Sequence, residues 1–158
     1  MNGLFLLVGL SLAGADSLVT TQVLGLELKA PSSWAVTDAA DGKNWEAPGR
    51  EAQLELAVFS VEPKRKAKEC LDQLLDQLGK SGWDSLALGA QPAVRKVTTD
   101  YLGAVDGGRA DGNKITTVTY VGCNGATKWV LTMSSNSSKS ARFGAVLKAI
   151  VGSISYRK

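Results

Sequence analysis

The chain has 158 residues, with 18 Lys plus Arg against 15 Asp plus Glu, two Cys and no His. Without an imidazole, Ser-His-Asp and Cys-His catalytic centres lose their general base, and catalytic zinc and haem sites lose their usual ligand. The composition, 44% hydrophobic and 21% charged, is that of a globular domain and not of a disordered chain. The length predicts a single domain.

The N-terminal segment, residues 1–15, is an uncharged apolar run that closes on the small-residue pattern Ala13-Gly14-Ala15. This pattern predicts a signal peptide that is too short to span a bilayer; the alternative is a buried first strand or helix of a cytosolic protein. A lipoprotein signal would need Cys where Ala15 stands. We therefore expect a single mature domain over 16–158, without a transmembrane segment, in the periplasm or outside the cell.

The two cysteines, Cys70 and Cys123, would reach an oxidising compartment in an exported protein. An even count predicts one intramolecular disulfide, and the alternative is two buried thiols that pack as small hydrophobic groups. Neither Cys lies in a C-x-x-C pair, and no His is present to generate a thiolate, so we expect no catalytic role for them.

Two amphipathic helices are predicted. The first runs from Pro63 to a stop at Gly79 and Gly82, and the second follows the capping candidates Ser138 and Ser140. Their apolar positions repeat at steps of three and four: Ala67, Cys70, Leu71, Leu74, Leu75 and Leu78 in the first, and Phe143, Val146, Leu147, Ile150, Val151 and Ile154 in the second.

The rest of the chain predicts antiparallel strands. They are centred on residues 24–28, 35–38, 52–61, 93–101, 114–123 and 126–133. A two-residue turn at Asn124-Gly125 would place Tyr120 opposite Trp129 on one face and Cys123 on the other. A Cys70–Cys123 bridge then puts the first helix on the Cys123 face and leaves the second helix for the aromatic face. The predicted fold class is α+β, an antiparallel sheet flanked by helices on both faces.

Three loop-like stretches have a candidate use. The polar connection 41–50 carries Trp45 and Arg50, and the Trp is either a lid folded onto the core or an exposed anchor for a partner. The Gly-rich stretch 103–113 lacks the ligand spacing of a calcium loop and is interpreted as a hairpin connection, with a metal or partner site as the alternative. The Asn136-Ser137-Ser138 sequence fits either a glycosylation sequon or a helix cap.

The basic residues are scattered with acids among them, which argues against a nucleic-acid surface. One cluster, Lys64, Arg65, Lys66 and Lys68, opens the first predicted helix, where the helix macrodipole disfavours cations. It is either a solvated helix end or a site for an anionic partner.

No catalytic motif is present. The sequence has no G-x-S-x-G, no phosphate-binding glycine loop and no carboxylate pair singled out by its spacing. We expect no enzyme activity, no metal site and no cofactor.

A resemblance begins at Leu26–Trp34, where a strand is followed by Pro31-Ser32-Ser33-Trp34. This opening resembles that of PsbP-like domains, and the order of elements over residues 22–156 is similar to that family, which includes bacterial envelope proteins of the DcrB and LpqN types. The resemblance implies an antiparallel sheet flanked by helices and, in most members, binding or assembly instead of catalysis. It carries no residue role to this chain.

The sequence therefore favours a non-enzymatic secreted or periplasmic module that docks onto an envelope protein. The candidate partner-binding residues are Trp45, Arg50, Lys64, Arg65 and Lys66. The alternatives are a small-ligand carrier and a His-free hydrolase that acts through carboxylates, and the sequence leaves the oligomeric state open.

Overall fold

A computed structural model describes residues 17–101 and 114–157. The predicted signal peptide and the connection 103–113 lie outside the described residues. The two helices are α1 (Ala67–Leu78) and α2 (Ser140–Gly152). The strands are β1 (Leu18–Val23), β2 (Leu26–Pro31), β3 (Ala35–Ala39), β4 (Gly42–Glu46), β5 (Ala52–Ser60), β6 (Asp84–Leu88), β7 (Gln91–Tyr101), β8 (Lys114–Cys123), β9 (Thr127–Asn136) and β10 (Ser155–Tyr156).

The strands form two antiparallel sheets. A three-stranded sheet has the order β1-β2-β10, and a seven-stranded sheet has the order β3-β4-β5-β9-β8-β7-β6. The α+β class with antiparallel pairing is therefore as predicted, although the strands divide between two sheets.

The β8–β9 hairpin has a different register from the predicted one. Tyr120 pairs with Leu131, not with Trp129, and Cys123 pairs with Lys128. The connection is longer than two residues because Asn124 Oδ1 accepts hydrogen bonds from the backbone N–H of residues 126 (2.9 Å) and 127 (2.8 Å). A slip of two residues keeps every side chain on its face, so Tyr120 and Trp129 still share a face.

The larger core contains the apolar stripe of α2. Leu147 and Ile150 are almost fully buried, and Phe143 meets Trp34 edge-on with 5.9 Å between ring centroids. The members that face them come from both sheets and include Leu26, Leu28, Leu54, Leu56, Val58, Tyr120, Trp129 and Leu131. The small sheet and the large sheet thus share one core with α2.

A second, smaller core lies under α1. Leu71 and Leu74 pack there with Val94 and Val121. Val121 is the direct neighbour in β8 of Tyr120, which belongs to the larger core. Successive side chains of a strand point to opposite faces, so the two cores receive alternate residues of the same strand. The predicted Cys70–Cys123 disulfide is present and lies in this core, with 6.1 Å between the Cα atoms.

The helix starts differ from the prediction. Helix α1 begins at Ala67 and not at Pro63, since Lys66 has extended dihedrals (φ −67°, ψ 142°). Before α2, Asn136 acts as the cap: its side chain accepts a hydrogen bond from Ser138 N–H and heads a short 3-10 turn. Ser140 caps nothing, because its hydroxyl donates to the Ser137 carbonyl (2.9 Å).

The stretch 42–46 is a strand and not a polar connection. It forms β4 between β3 and β5, and Trp45 pairs with Leu54 and with Val36. The Trp45 side chain is only 2% exposed and belongs to the larger core. Of the two predicted uses, the buried one applies, but within a sheet and not in a lid.

Candidate functional site

The extended residues Lys64–Lys66, here called the basic segment, are exposed and lead into α1. Their backbone is held to the β8–β9 connection, because Arg65 N–H donates to the Gly125 carbonyl (3.0 Å). Gly125 has φ 93°, and a Cβ there would come within 2.1 Å of the Arg65 carbonyl oxygen, so the close approach requires glycine. One turn later, the disulfide at Cys70 joins α1 to β8.

The side chains of the basic segment differ from most other cations in the described part of the chain. Most Lys and Arg side chains there have a carboxylate or an aromatic ring as partner: Lys43, Arg50, Lys68, Lys80, Arg95, Lys96, Lys114, Lys128, Lys139, Arg142 and Arg157. The three cations of the segment have no such partner within residues 17–101 and 114–157, a property shared only with Lys29 and Lys148.

The position of the basic segment is electrostatically unfavourable for the fold. Lys66 occupies the N-cap of α1 and makes no side-chain capping hydrogen bond. The first N–H groups of a helix carry a partial positive charge, so a cation beside them costs about 0.3–1 kcal/mol, whereas Asp or Ser at the N-cap would stabilise the helix. Three consecutive cations are therefore present where helix stability alone would favour other residues.

A second feature, here called the sheet-end cleft, is a surface depression of about 740 Å³ at the opposite end of the large sheet. It lies between the 3-10 turn Pro48–Arg50 and the start of α2. Most of the residues that line it have polar side chains, among them Gln53, Thr117, Ser134 and Ser138. The hydroxyls of Thr117 and Ser134 lie 3.0 Å apart across the β8–β9 pair.

Glu51 forms ion pairs with two cations at the cleft. Glu51 accepts a hydrogen bond from Lys139, and its second oxygen lies 3.3 Å from Arg142 Nη1. The Lys139 hydrogen bond, together with the positive charges of Lys139 and Arg142, holds the pKa of the Glu51 carboxyl below its usual value, although burial opposes this. Glu51 is thus a structural anion that ties α2 to the start of β5.

The cleft contains two carboxylates, Glu51 and Asp100, that come from separate parts of the sheet. Glu51 precedes β5 and Asp100 lies on β7, with β9 and β8 between them. Three inter-strand spacings of about 4.8 Å separate their backbones by roughly 14 Å. Glu51 is already bound to Lys139 and Arg142, so the structure does not present the two carboxylates as a free pair for acid-base chemistry.

Two features are absent from the described ranges. No group of three or more Asp, Glu, Cys or His side chains there is placed to hold a metal ion. Across the same ranges, no helix is long and apolar enough to cross a membrane.

The structure does not bring the predicted partner-binding residues together. Arg50 is exposed on the rim of the cleft, with its Nε 3.4 Å from Glu46, whereas the basic segment lies beyond the far end of β5. The nine residues of β5, at about 3.4 Å per step, put roughly 27 Å between these ends. Trp45 lies in the core, away from both surfaces.

No family model matches the sequence, and no curated protein does. The fold, in contrast, matches that of CyanoP, the cyanobacterial PsbP of Synechocystis, with a TM-score of 0.62 and 11% identity over 91% of this chain and 95% of that one. The fold is PsbP-like. The predicted resemblance is therefore confirmed for the fold.

Two more solved structures share the PsbP-like fold of this chain or much of it. LpqN of Mycobacterium tuberculosis, described as involved in cell envelope biogenesis, has a TM-score of 0.58 and 11% identity, with 91% of each chain covered. A Bacteroides thetaiotaomicron protein has a TM-score of 0.65 and 12% identity over 85% of this chain, which spans only 46% of that protein's length. At these identities the likeness shows the fold alone.

Proposed function

We propose that this protein is a non-enzymatic, exported binding module that docks onto an acidic segment of an envelope protein through its basic segment. The observation that carries the proposal is the run of three exposed cations, Lys64–Lys66, which have no partner among the described residues. Their backbone is fixed by Gly125 and by the nearby disulfide, so the charges are presented with little loss of chain entropy on binding.

The proposed location has separate support. The N-terminal apolar run predicts export. Disulfides such as Cys70–Cys123 form and persist in oxidising compartments. LpqN, which shares the fold, is described as involved in cell envelope biogenesis. We further propose that α1 and α2 cover opposite faces of the seven-stranded sheet, since Val121 packs with α1 and its neighbour Tyr120 packs in the core that contains α2.

The test uses charge reversal with a matched control. The full chain, the variant Lys64→Glu/Lys66→Glu and the control Lys29→Glu/Lys148→Glu would be used to capture cross-linked partners from envelope extract. The two variants change the net charge equally, and the control alters the other two cations that lack a described partner. Captured proteins would be identified by mass spectrometry.

We expect an envelope protein that is enriched by the wild type and by the control but is lost with the basic-segment variant. Binding should weaken as salt is raised from 50 to 500 mM, because exposed charges are screened beyond the Debye length of about 10 Å at 0.1 M. Equal capture by all three chains, or capture that does not depend on salt, would contradict docking through the basic segment.

The sheet-end cleft favours a second candidate function, a small-ligand carrier. Its volume of about 740 Å³ lies within the range of about 300–1,000 Å³ that is usual for ligand pockets. Native mass spectrometry of the protein purified from its own cells tests this function. A retained molecule that is absent from Ser134→Trp, in which an indole would fill the cleft, would establish a carrier.

A further inference from the structure

Strand β1 is an edge strand that pairs with no other strand of the described residues on its outer side. It is the outermost strand of the sheet β1-β2-β10, and its sequence LVTTQV has no charge and no proline. The edge strands of the other sheet each carry an acid, Asp38 in β3 and Asp84 in β6. Charges on edge strands are a common device against pairing with other chains, and β1 lacks it.

The hydrogen-bonding groups of β1 alternate between β2 and solvent. Just before the strand, the Ser17 carbonyl accepts a hydrogen bond from Ser32 N–H (2.8 Å), so odd-numbered residues bond to β2. The antiparallel pairing continues without interruption to Val23. Leu18, Thr20 and Gln22 therefore direct their backbone N–H and C=O groups outward, where a further strand would pair.

The turn after β1 contains a residue that the turn geometry disfavours. Leu24 and Gly25 form the two-residue connection to β2, with φ of 42° and 81°. A positive φ suits Gly, Asn or Asp and is strained for Leu. The Leu24 side chain is also 61% exposed, so little contact with the described residues compensates for the strain.

We propose that β1 pairs with β1 of a second copy of this chain, antiparallel, with Thr21 on the two-fold axis. In this register Val19 lies opposite Val23 of the second copy, and Leu18 lies opposite Leu24 of the second copy. The exposed apolar side chains of this hairpin, Leu18 at 37%, Val19 at 48% and Leu24 at 61%, are thus all placed against apolar partners.

The register also satisfies the outward backbone groups. Thr20 and Gln22 of opposite copies form a hydrogen-bonded pair on each side of the axis, and Thr21 faces itself in a pair without hydrogen bonds. A symmetric register centred on Thr20 would place Leu18 opposite Gln22, and one centred on Gln22 would place Leu24 opposite Thr20, so neither of them matches the apolar side chains. The two three-stranded sheets would join into one continuous sheet, with the cores of both copies on the same face. Because each copy contributes the same residues, the contact is isologous and closed.

The contact is small, since one six-residue strand pair buries less than the roughly 1,200 Å² of stable interfaces. We therefore expect a dimer that forms and dissociates with protein concentration. The interaction is independent of the basic segment, so its failure would leave the proposed docking untouched.

Cysteine cross-linking tests the register directly. In Thr21→Cys the two new thiols meet on the axis with about 4.5 Å between Cα atoms, which suits a disulfide. In the matched control Thr20→Cys the new thiols lie opposite Gln22 and are too far apart. The full-length chains would be purified as the cell processes them, oxidised at 10 and 200 µM, and compared on non-reducing gels.

We expect at least tenfold more covalent dimer from Thr21→Cys than from Thr20→Cys, and a new dimer when Thr20→Cys is mixed with Gln22→Cys. Equal cross-linking of Thr21→Cys and Thr20→Cys would show that two copies collide at random and do not pair in a fixed strand register. Efficient linkage of Thr20→Cys to itself would show a different register. Either result, or no covalent dimer at all, overturns the proposal.

A second variant separates dimer formation from folding. Leu24→Asn supplies a residue that tolerates positive φ and removes the apolar contact. We expect a thermal midpoint as high as or higher than that of the wild type, together with at least tenfold weaker self-association by sedimentation velocity. Unchanged self-association would overturn the proposed contact, and so would a wild type that stays monomeric at 200 µM.

Discussion

Trp129 shows how a single hydroxyl supports the core. The indole is fully buried, and its Nε1 donates a hydrogen bond to Tyr156 Oη at 2.7 Å. Burial raises the pKa of the Tyr156 phenol, and the Trp129 hydrogen bond works in the opposite direction. The hydroxyl is therefore retained in the interior, in neutral form, as the partner of the indole.

Tyr156→Phe should destabilise the protein by about 1–3 kcal/mol, because the Trp129 N–H would remain buried without an acceptor. Urea unfolding followed by tryptophan fluorescence measures this change. Tyr101→Phe is the matched control: that ring is 57% exposed, and its loss of hydroxyl should change stability by less than about 0.5 kcal/mol. Similar values for the two variants would contradict this role of the hydroxyl.

Glu51 predicts a pH dependence of stability. Its pKa is lowered below the ordinary 4.5, chiefly by the Lys139 hydrogen bond, so the folded state favours the carboxylate more than the unfolded state does. The stabilisation is complete above the unfolded pKa and is lost as pH falls through the lower folded pKa. Glu51→Gln should therefore be less stable than the wild type at pH 7, and the difference should disappear toward pH 2.

Thermal unfolding of both chains between pH 2 and pH 7 measures this difference. Glu55→Gln serves as the control, because that carboxylate has no ion pair within the described residues. A constant gap between wild type and Glu51→Gln at every pH would show that the side chain acts through packing and not through its charge.

At the scale of elements, the cation at the N-cap of helix α1 lowers the stability of that helix. Lys66→Asp would provide an N-cap acceptor and replace a cation next to the helix N-terminus by an anion. Each effect favours the helix, so we expect a gain of about 1 kcal/mol or more in chemical denaturation. The same substitution should weaken capture of an acidic partner.

Lys66→Ala provides the control, since it removes the charge without adding a cap. Its stability should lie between those of the wild type and Lys66→Asp. A loss of stability in both variants would mean that the Lys66 side chain makes a contribution to the fold that outweighs the helix dipole.

The pairing of β8 with β9 depends on a glycine. Gly122 lies opposite Trp129, and a Cβ at this position would come within 2.4 Å of the indole ring. Gly122→Ala should therefore displace the ring and cost about 1–3 kcal/mol, as overpacking does. Gly144→Ala in α2, where a Cβ meets nothing within 4 Å, should instead gain about 0.5–1 kcal/mol. Calorimetric midpoints that move in the same direction would contradict this account.

The sequence predicts well those elements whose apolar side chains recur at the period of a helix or of a strand. Both helices and the β8–β9 pair have apolar residues at the right period, and Tyr120 and Trp129 lie in one core while Cys123 lies in the other. Strand β4 was missed because only Trp45 of its five residues is buried, so it has no alternation to detect. The two-residue slip at Asn124 was missed because a side-chain hydrogen bond, not the backbone pattern, sets that turn.

A surface can be predicted from the sequence only when its residues are contiguous in the chain. The basic segment is continuous in sequence, so a charge run reveals it even though the start of the helix was placed four residues too early. The sheet-end cleft takes its walls from β5, β7, β8, β9 and two turns, and each contributes only one or a few polar residues. No window of sequence contains that combination, so it requires the sheet order.

At the scale of the whole molecule, the disulfide links α1 to β8 within the smaller core. Cys70 and Cys123 are separated by 53 residues, and both lie in the core under α1, which contains few other buried side chains. Closing a loop of this length lowers the conformational entropy of the unfolded chain. This effect stabilises the folded state by about 4 kcal/mol. The basic segment lies just before this bridge.

The double variant Cys70→Ala/Cys123→Ala should therefore lose several kcal/mol in urea unfolding, and reductant should lower the wild-type midpoint but leave the variant unchanged. Hydrogen exchange should rise first in α1, whose core depends on the bridge, and later in β9, whose core includes Trp129 and Leu131. Since the segment Lys64–Lys66 is held between the bridge and Gly125, the variant should also bind an acidic partner more weakly at equal charge. Uniform exchange in both cores would mean that the two cores unfold as one unit, and that the disulfide stabilises the whole domain and not specifically α1.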